Sequence, residues 1–435
     1  MPSIDQRTHK NWWRGKWLPR FVAVLAGLWL AWTVVANTAA DNLANTDAEE
    51  ALSWRNTSSA MVSLARQKLI ADGLQENAAD IRRLAEDALR TAPLQSRALA
   101  MLALLAETEE GQERAGRLMK LAADRSRRDG LVEVWSFYRA AKLGEFDRAV
   151  AHADAVLRSR PNLRDQIAPT LISFAMDNEA KSAVVGILAQ QPPWRGWYLG
   201  ELAKQTDDPG LAYGVYADLG KTSQPPNDKE LGSYLNNLIG AVRFDQAYLT
   251  WINFLPEDRR RNIRFAYNGD FEYLPTGLPF DWSIAPVAGA STEIVERNDI
   301  ENGHAVRVEF ANRRVGYRHL RKLMMLPPGP YQLTGSAMAQ DLENERGLVW
   351  RVSCAEMDRQ RLAETVPIKG TTDWHEISIG FEVPQTGCRA QWLTLELAAR
   401  VALEEQIGGE VWFDDLAVTR ISQKNEGESP DKSPR

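Results

Sequence analysis

Few residues in this chain of 435 are of types that do chemistry. The only two cysteines, Cys354 and Cys388, sit in RVSCAE and TGCRAQ, and the chemistry open to such a pair in an exported chain is a disulfide, the alternative being two buried thiols. A bridge there closes a loop that adds about 3 to 4 kcal/mol on a chain-entropy argument. Aromatic rings beside polar groups form a second class: a pyranose lays its apolar face on a ring while the neighbours take its hydroxyls. Tyr317 with Arg314 and His319, and Trp350 with Arg351, have that make-up. The first trio shares a strand face only if a strand starts at Val315, and core packing is the competing reading of both rings. Nothing in the sequence reads as GxSxG, HExxH or a nucleotide-binding glycine loop, and 5 His with 2 Cys leave little for zinc. A binding protein is expected, with no catalytic residue and no enzyme activity.

Those residues must be carried by more than one domain, because 435 residues exceed one ordinary core. A net charge of -6 without a concentrated basic face weighs against nucleic acid as a partner. Positive charge gathers only at the start, where Arg7, Lys10, Arg14, Lys16 and Arg20 fall within residues 1–20. Phe21 to Ala36 is then uncharged, and Asn37 to Glu50 is polar or acidic. By the positive-inside bias the start is cytoplasmic and the rest exported. Residues 21–40 are read as a transmembrane anchor, placing the chain once through a bacterial-type inner membrane with its bulk in the periplasm. Counting from Trp17 to Ala36 gives just enough length to span. A cleaved signal peptide is the alternative, with Val34-Val35-Ala36 or Thr38-Ala39-Ala40 as cleavage sites. Residues 41–51 read as a polar linker.

A repeat follows over 52–258. Ala88, Ala122 and Val156 recur every 34 residues, small residues stand at Ala115 and Ala149, and Pro93 and Pro161 close helical stretches two periods apart. In 131–161 two amphipathic helices hinge at Gly144. Later units are looser, with a break at 207–210 and prolines at 192–193, 225–226 and 256, giving about six hairpins in all. The period and the placement of small residues and proline resemble the tetratricopeptide (TPR) family, which implies an α-solenoid whose concave face holds a protein partner. Trp135 and Tyr138 are the candidates for that face, against a core reading of the same rings.

From Arg264 the period changes to two. Ile377, Ile379, Phe381 and Val383 alternate with polar residues, as do Leu393, Leu395 and Leu397, and Val306, Val308 and Phe310, so about eight strands of an antiparallel β-sandwich are expected over 264–421. NGDFE at 268–272, Trp282, Pro328 to Tyr331, Trp374 and VWFDDL at 411–416 look like a galactose-binding-like jelly roll, similar to the carbohydrate-binding modules of bacterial glycanases. The resemblance implies neighbouring first and last strands, polysaccharide as a ligand, and a structural calcium held by Asp270 and Glu272 with Asp414 or Asp415, an unmetallated cluster being the alternative. It also places Trp282, Trp374 and Trp412 in the core. The tail 422–435 is polar and expected to be disordered. The fold class expected is thus a multidomain α and β chain: a transmembrane helix, a TPR-like α-solenoid and a C-terminal jelly roll. A membrane-anchored envelope scaffold in exopolysaccharide assembly or export fits that order; a pure protein-interaction scaffold with a structural sandwich cap is the alternative, and a glycoside-active enzyme a distant third.

Overall fold

The computed structural model describes residues 14–421 except 110, 127–129, 206–207, 262, 298, 301–302 and 357–359. The expected basic lead up to residue 13, the tail 422–435 and Asp207 of the expected break lie outside the described residues. The chain divides into two compact units, Met1–Leu171 and Ile172–Arg435. The division falls within the helical region, and the later helices group with the strands.

Unit 1 opens with α1 (Arg14–Leu43) and α2 (Ala48–Trp54). The linker expected over 41–51 is therefore mostly helix: α1 runs on to Leu43, and Asp47 starts α2 by accepting from the Glu50 amide at 2.9 Å. Three helix pairs follow: α3 (Ser58–Glu76) with α4 (Ala78–Thr91), α5 (Ser96–Glu109) with α6 (Gln112–Arg125), and α7 (Gly130–Lys142) with α8 (Phe146–Ser159). α4, α6 and α8 are each 14 residues long and begin at 78, 112 and 146, so the 34-residue period is the period of the helices. Their apolar stripes coincide: Ile81, Ala115 and Ala149 are fully buried, as are Ala88, Ala122 and Val156. Small side chains let each second helix lie close to its partner, while Gly144 at φ 74° turns α7 into α8.

The regularity ends at α9 (Arg164–Ser173), across which the division between units falls. Pro169 removes a ladder donor inside it, and the chain continues as a 3₁₀ turn at Phe174–Met176. Unit 2 continues with α10 (Asn178–Leu188), α11 (Arg195–Ala203), α12 (Pro209–Gly220), α13 (Asp228–Gly240), α14 (Phe244–Phe254) and the short α15 (Glu257–Arg260). Arg195 is buried among them and makes a paired hydrogen bond to Glu230, both at 2.8 Å, while also donating to the carbonyls of Leu188, Gln224 and Pro225.

The strands are β1 (Ser283–Ile284), β2 (Ala290–Glu296), β3 (His304–Arg314), β4 (Leu320–Met324), β5 (Gly329–Glu343), β6 (Leu348–Cys354), β7 (Arg361–Glu364), β8 (Gly370–Val383), β9 (Gln391–Leu397) and β10 (Gln406–Arg420). They form two five-stranded antiparallel sheets, β1-β4-β9-β6-β7 and β2-β3-β10-β5-β8, facing each other as a sandwich. Alternation reads directly onto the inner faces: Val306, Val308, Phe310, Leu393, Leu395, Ile377 and Phe381 join one core with Trp282, Trp350 and Phe413. Cys354 at the end of β6 and Cys388 before β9 are joined as a disulfide. The helices of this unit meet the sandwich through aromatic packing, with Trp251 of α14 lying 5.1 Å from Tyr267 and 5.6 Å from Phe280, ring centre to ring centre.

Candidate functional site

Three places gather the residues that the sequence singled out, and the outer face of the β2-β3-β10-β5-β8 sheet gathers the best set for a ligand. On β10 the residues opposite in parity to buried Val411 and Phe413 are Glu410, Trp412 and Asp414, so these point away from the core. Trp412 stands opposite Arg307 of β3 on one side and Met338 of β5 on the other. A bulge in the pairing of β5 with β8, between Ala337 opposite His375 and Ala339 opposite Thr372, brings Trp374 beside Met338. Trp412 and Trp374 are both half-buried and are two strand spacings apart, roughly 10 Å.

Charge surrounds this pair. Arg297, which follows β2, lies over the Trp374 ring with its guanidinium carbon 4.0 Å from the ring centre. It also donates to Asp414 at 2.7 Å and to Asp299 at 2.6 Å and at 3.0 Å, and its side chain is only 7% exposed. The hydrogen bonds to Asp299, then those to Asp414, hold Arg297 above the ordinary arginine range. Burial pushes Asp414 up, and Arg297 works against that rise. Arg307 donates to Glu410 at 2.7 Å and Glu309 at 3.0 Å. Carboxylate and guanidinium groups therefore rim the two indole rings, with Met338 between them.

The rings expected to carry a sugar are elsewhere. Tyr317 is 1% exposed, packed edge-on against Phe310, with its hydroxyl 2.9 Å from that of Thr292. Burial pushes the Tyr317 phenol up to about 12. It lies between β3 and β4 rather than on a strand, so Arg314, Tyr317 and His319 share no strand face. Trp350 is fully buried between Trp282 and Phe413, and Arg351 is engaged by Glu364 and Glu396. Both rings are closed to a ligand because they point between the sheets. The expectation for Trp374 and Trp412 is corrected in the opposite direction, since they face outward; Trp282 is core. The signal that finds them is parity: Trp374 shares a parity with Glu376 and Ser378, and Trp412 with Glu410 and Asp414.

The carboxylates assigned to calcium divide. Asp270, Glu272 and Asp415 line one polar cleft of about 520 Å³ with Arg264, Tyr267 and Tyr273. The cleft forms where the opening segment meets β10: the Leu416 amide donates to the Gly269 carbonyl at 2.9 Å, and a Cβ on Gly269 would run into the Leu416 carbonyl. Asp414 is not among its lining and is held by Arg297, while Glu272 accepts from the His304 amide and lies 3.0 Å from its ring nitrogen. Among the described residues no three His, Cys, Asp or Glu side chains come together as a metal-holding group. Of the two aspartates on the last strand, Asp415 shares the cleft with Asp270 and Glu272, and Asp414 stands apart from them. A built-in cation lies nearby: the Lys322 ammonium, wholly buried inside the sandwich, donates to the Tyr267 carbonyl and stands 4.6 Å from the Trp282 ring centre. Burial pushes Lys322 down to about 7, opposed by Asp281 and Asp270.

In unit 1, Trp135 and Tyr138 line a shared cavity of about 270 Å³ with Glu107 and Arg139; Trp135 donates to Glu107 at 2.9 Å and Tyr138 to the Gln166 carbonyl. A second groove of about 290 Å³, which spacing alone does not reveal, runs over α3, α5 and α7. Its floor includes Leu69, Met101 and Val134, and Arg66, Arg97 and Arg160 line it, with no carboxylate among the described residues of the lining.

No family model matches the chain, and no curated protein matches it. Solved structures similar to its β region include a family 4 carbohydrate-binding module, at 14% identity over 36% of this chain and 99% of that one, with a TM-score of 0.28. A family 61 module in complex with β-1,4-galactotriose matches at 16% over 37% and 100%, TM-score 0.23. The Clostridium thermocellum xylanase 10B, solved with its family 22 module and xylohexaose, matches at 16% with a TM-score of 0.24, over 34% of this chain and 28% of that one. Overlaps this partial leave the ligand to be argued from the residues of the chain.

Proposed function

We propose that the sandwich of unit 2 binds polysaccharide on the outer face of the β2-β3-β10-β5-β8 sheet, with Trp412 and the part of Trp374 that Arg297 leaves uncovered as the aromatic platform and Arg307 and Glu410 as the hydroxyl-binding rim. The observation that carries this is the pair of half-buried, outward-facing indoles, roughly 10 Å apart by two strand spacings, on one sheet face with Met338 between them. In the same reading the paired helices form a TPR-like solenoid whose concave face takes a protein partner. The helix α1, apolar and long enough to cross a membrane over Phe21–Leu43, anchors the chain in a bacterial-type inner membrane with the bulk in the periplasm. The disulfide supports that compartment. The whole is a non-enzymatic scaffold for exopolysaccharide assembly or export. Calcium in the cleft of Asp270, Glu272 and Asp415 is the alternative to Lys322 as the local cation.

The test is titration of the full chain in detergent, with calcium present, against glucose, galactose and xylose oligosaccharides, followed by tryptophan fluorescence. Binding that falls about tenfold or more in Trp412→Ala and Trp374→Ala supports the reading. Absence of binding to every glycan transfers the proposal to the pure protein scaffold with a structural cap.

A further inference from the structure

The way α1 enters the folded part of unit 1 fixes where a bilayer must stop. Phe21 through Trp32 are exposed on every side of the helix, whereas from Thr33 one stripe is covered, and Ala36, Ala40 and Ala44 are buried. α2 packs against this end of α1 with its own Ala48 and Ala51 buried, and Ala44 and Ala51 form one apolar cluster with Ala60 of α3, Leu43 and Leu52. The turn at Thr46 and Asp47 sends α2 back along α1 toward its N-terminal end. Trp54, at the end of α2, thereby lies 6.3 Å from Trp32, and the Arg55 guanidinium reaches the Thr33 carbonyl at 3.5 Å.

Length then sets a conflict. At 1.5 Å per residue, the path from Phe21 to Trp32 covers roughly 17 Å, and starting at Trp17 it covers about 23 Å. A hydrocarbon core is about 30 Å thick. If α1 spans the membrane, the end of α2 cannot stand clear of it. Counted from Trp17, Trp54, 41% exposed, and Arg55 fall about 7 Å on the acyl side of the boundary with the headgroups, near enough for an indole edge and a guanidinium on a long stem to reach it. Those are the residue types that this layer accepts: indoles partition to it, and a guanidinium on a long stem reaches outward to phosphate.

We propose that Trp32, Trp54 and Arg55 form a collar that seats unit 1 on the outer surface of the bilayer, the indoles in the interfacial layer and Arg55 on lipid phosphate. This rests on the reading of α1 as a membrane anchor. Two consequences follow: unit 1 has no free stalk, and cleavage after Ala36 or Ala40 would strip away the helix that buries the α2 stripe, so the leader is retained.

Both cysteines are in the disulfide, so single introduced thiols can be spin-labelled in the full chain reconstituted in nanodiscs of phosphatidylethanolamine and phosphatidylglycerol. Labels at Leu25→Cys, Ser53→Cys, Trp54→Cys and Leu121→Cys report depth as the ratio of oxygen to water-soluble nickel-chelate collisions. Expected are severalfold lower nickel collisions at 53 and 54 than at the solvent-exposed 121, with depths between 25 and 121. Arg55→Glu should move the label at 53 toward the value at 121, and Arg55→Lys should not. Values at 53 and 54 equal to that at 121, with 25 still in lipid, overturn the collar alone. A water-like value at 25 overturns the anchor and the collar together.

Discussion

The helices of the two units solve the same packing problem with different side chains. In unit 1 the buried stripe of each second helix is alanine-rich and repeats in register: Ile81, Ala115 and Ala149, then Ala85, Met119 and Ala153. In unit 2 the buried positions hold Trp194, Tyr198, Tyr216, Tyr234 and Trp251, with Tyr216 stacked on Tyr234 at 4.7 Å. A helix whose neighbour is a near copy of itself can use one small-residue contact again and again. One whose neighbours include a β-sandwich must fill a different space at each position. Repetition therefore survives in sequence where the partner repeats, and is erased where it does not.

The largest way to break that contrast is to empty an aromatic contact of unit 2. Trp251→Ala removes a buried indole packed on Tyr248, Tyr267 and Phe280, and it should destabilise unit 2 by about 3 to 5 kcal/mol, read by denaturant unfolding of the full chain. A loss confined to the helices, with the sandwich unfolding as before, would mean that the two parts of unit 2 are not one cooperative piece.

The sandwich of unit 2 also holds a charge that the alanine stripes of unit 1 lack. The Lys322 ammonium carries a folded-state pKa pushed down to about 7, below that of the unfolded chain. Between the two values the unfolded chain binds more protons, so stability should rise with pH from about 7 toward 10 and stay flat below. The gain over pH 7 to 9 is at most about 3 kcal/mol. Lys322→Met should flatten that slope, as followed by melting temperature against pH. If chelator lowers the melting temperature, a metal rather than Lys322 balances this neighbourhood.

Much of this organisation is legible in the sequence, for reasons that differ by region. The 34-residue period is visible because Ala115 and Ala149 do the same task in successive pairs. Alternation gave the inner faces through Val306, Leu393 and Ile377, and the cysteine pair gave the bridge. Arg195 was not legible, since its burial depends on Glu230 and three carbonyls that only the folded chain assembles. The outward side of Trp374 and Trp412 follows from parity with Glu376 and Glu410, whereas their approach to each other across β5 is set by a pairing that parity does not reveal. The bulge that brings Trp374 beside Met338 leaves no mark in composition.

Crowding sharpens the comparison from the side of unit 1. Ala149→Leu inserts a larger side chain into a fully buried site between paired helices, and it should cost about 1 to 3 kcal/mol. The same change at exposed Ala151, two residues along α8, should be nearly silent. Equal effects in thermal unfolding would show that close approach of α7 and α8 is not what the small residue supplies.

The smallest expected effect separates the two faces of the sandwich. Trp412 gives part of its surface to solvent and has Arg307 at 5.9 Å from its ring centre, so Trp412→Ala should lower stability by under about 1 kcal/mol. Trp350→Ala, the same change on the inner side of the facing sheet, empties a core position beside Trp282 and Phe413 and should behave like Trp251→Ala. A residue kept for packing shows its cost in unfolding; one kept for a ligand shows it only when ligand is added. Denaturant curves of both variants with and without the best oligosaccharide make that distinction: the Trp412 variant should lose the ligand-induced gain in stability while keeping its own. A Trp412→Ala variant as unstable as Trp350→Ala would assign this indole to the architecture of the sheet and leave the outer face without a ring to stack on.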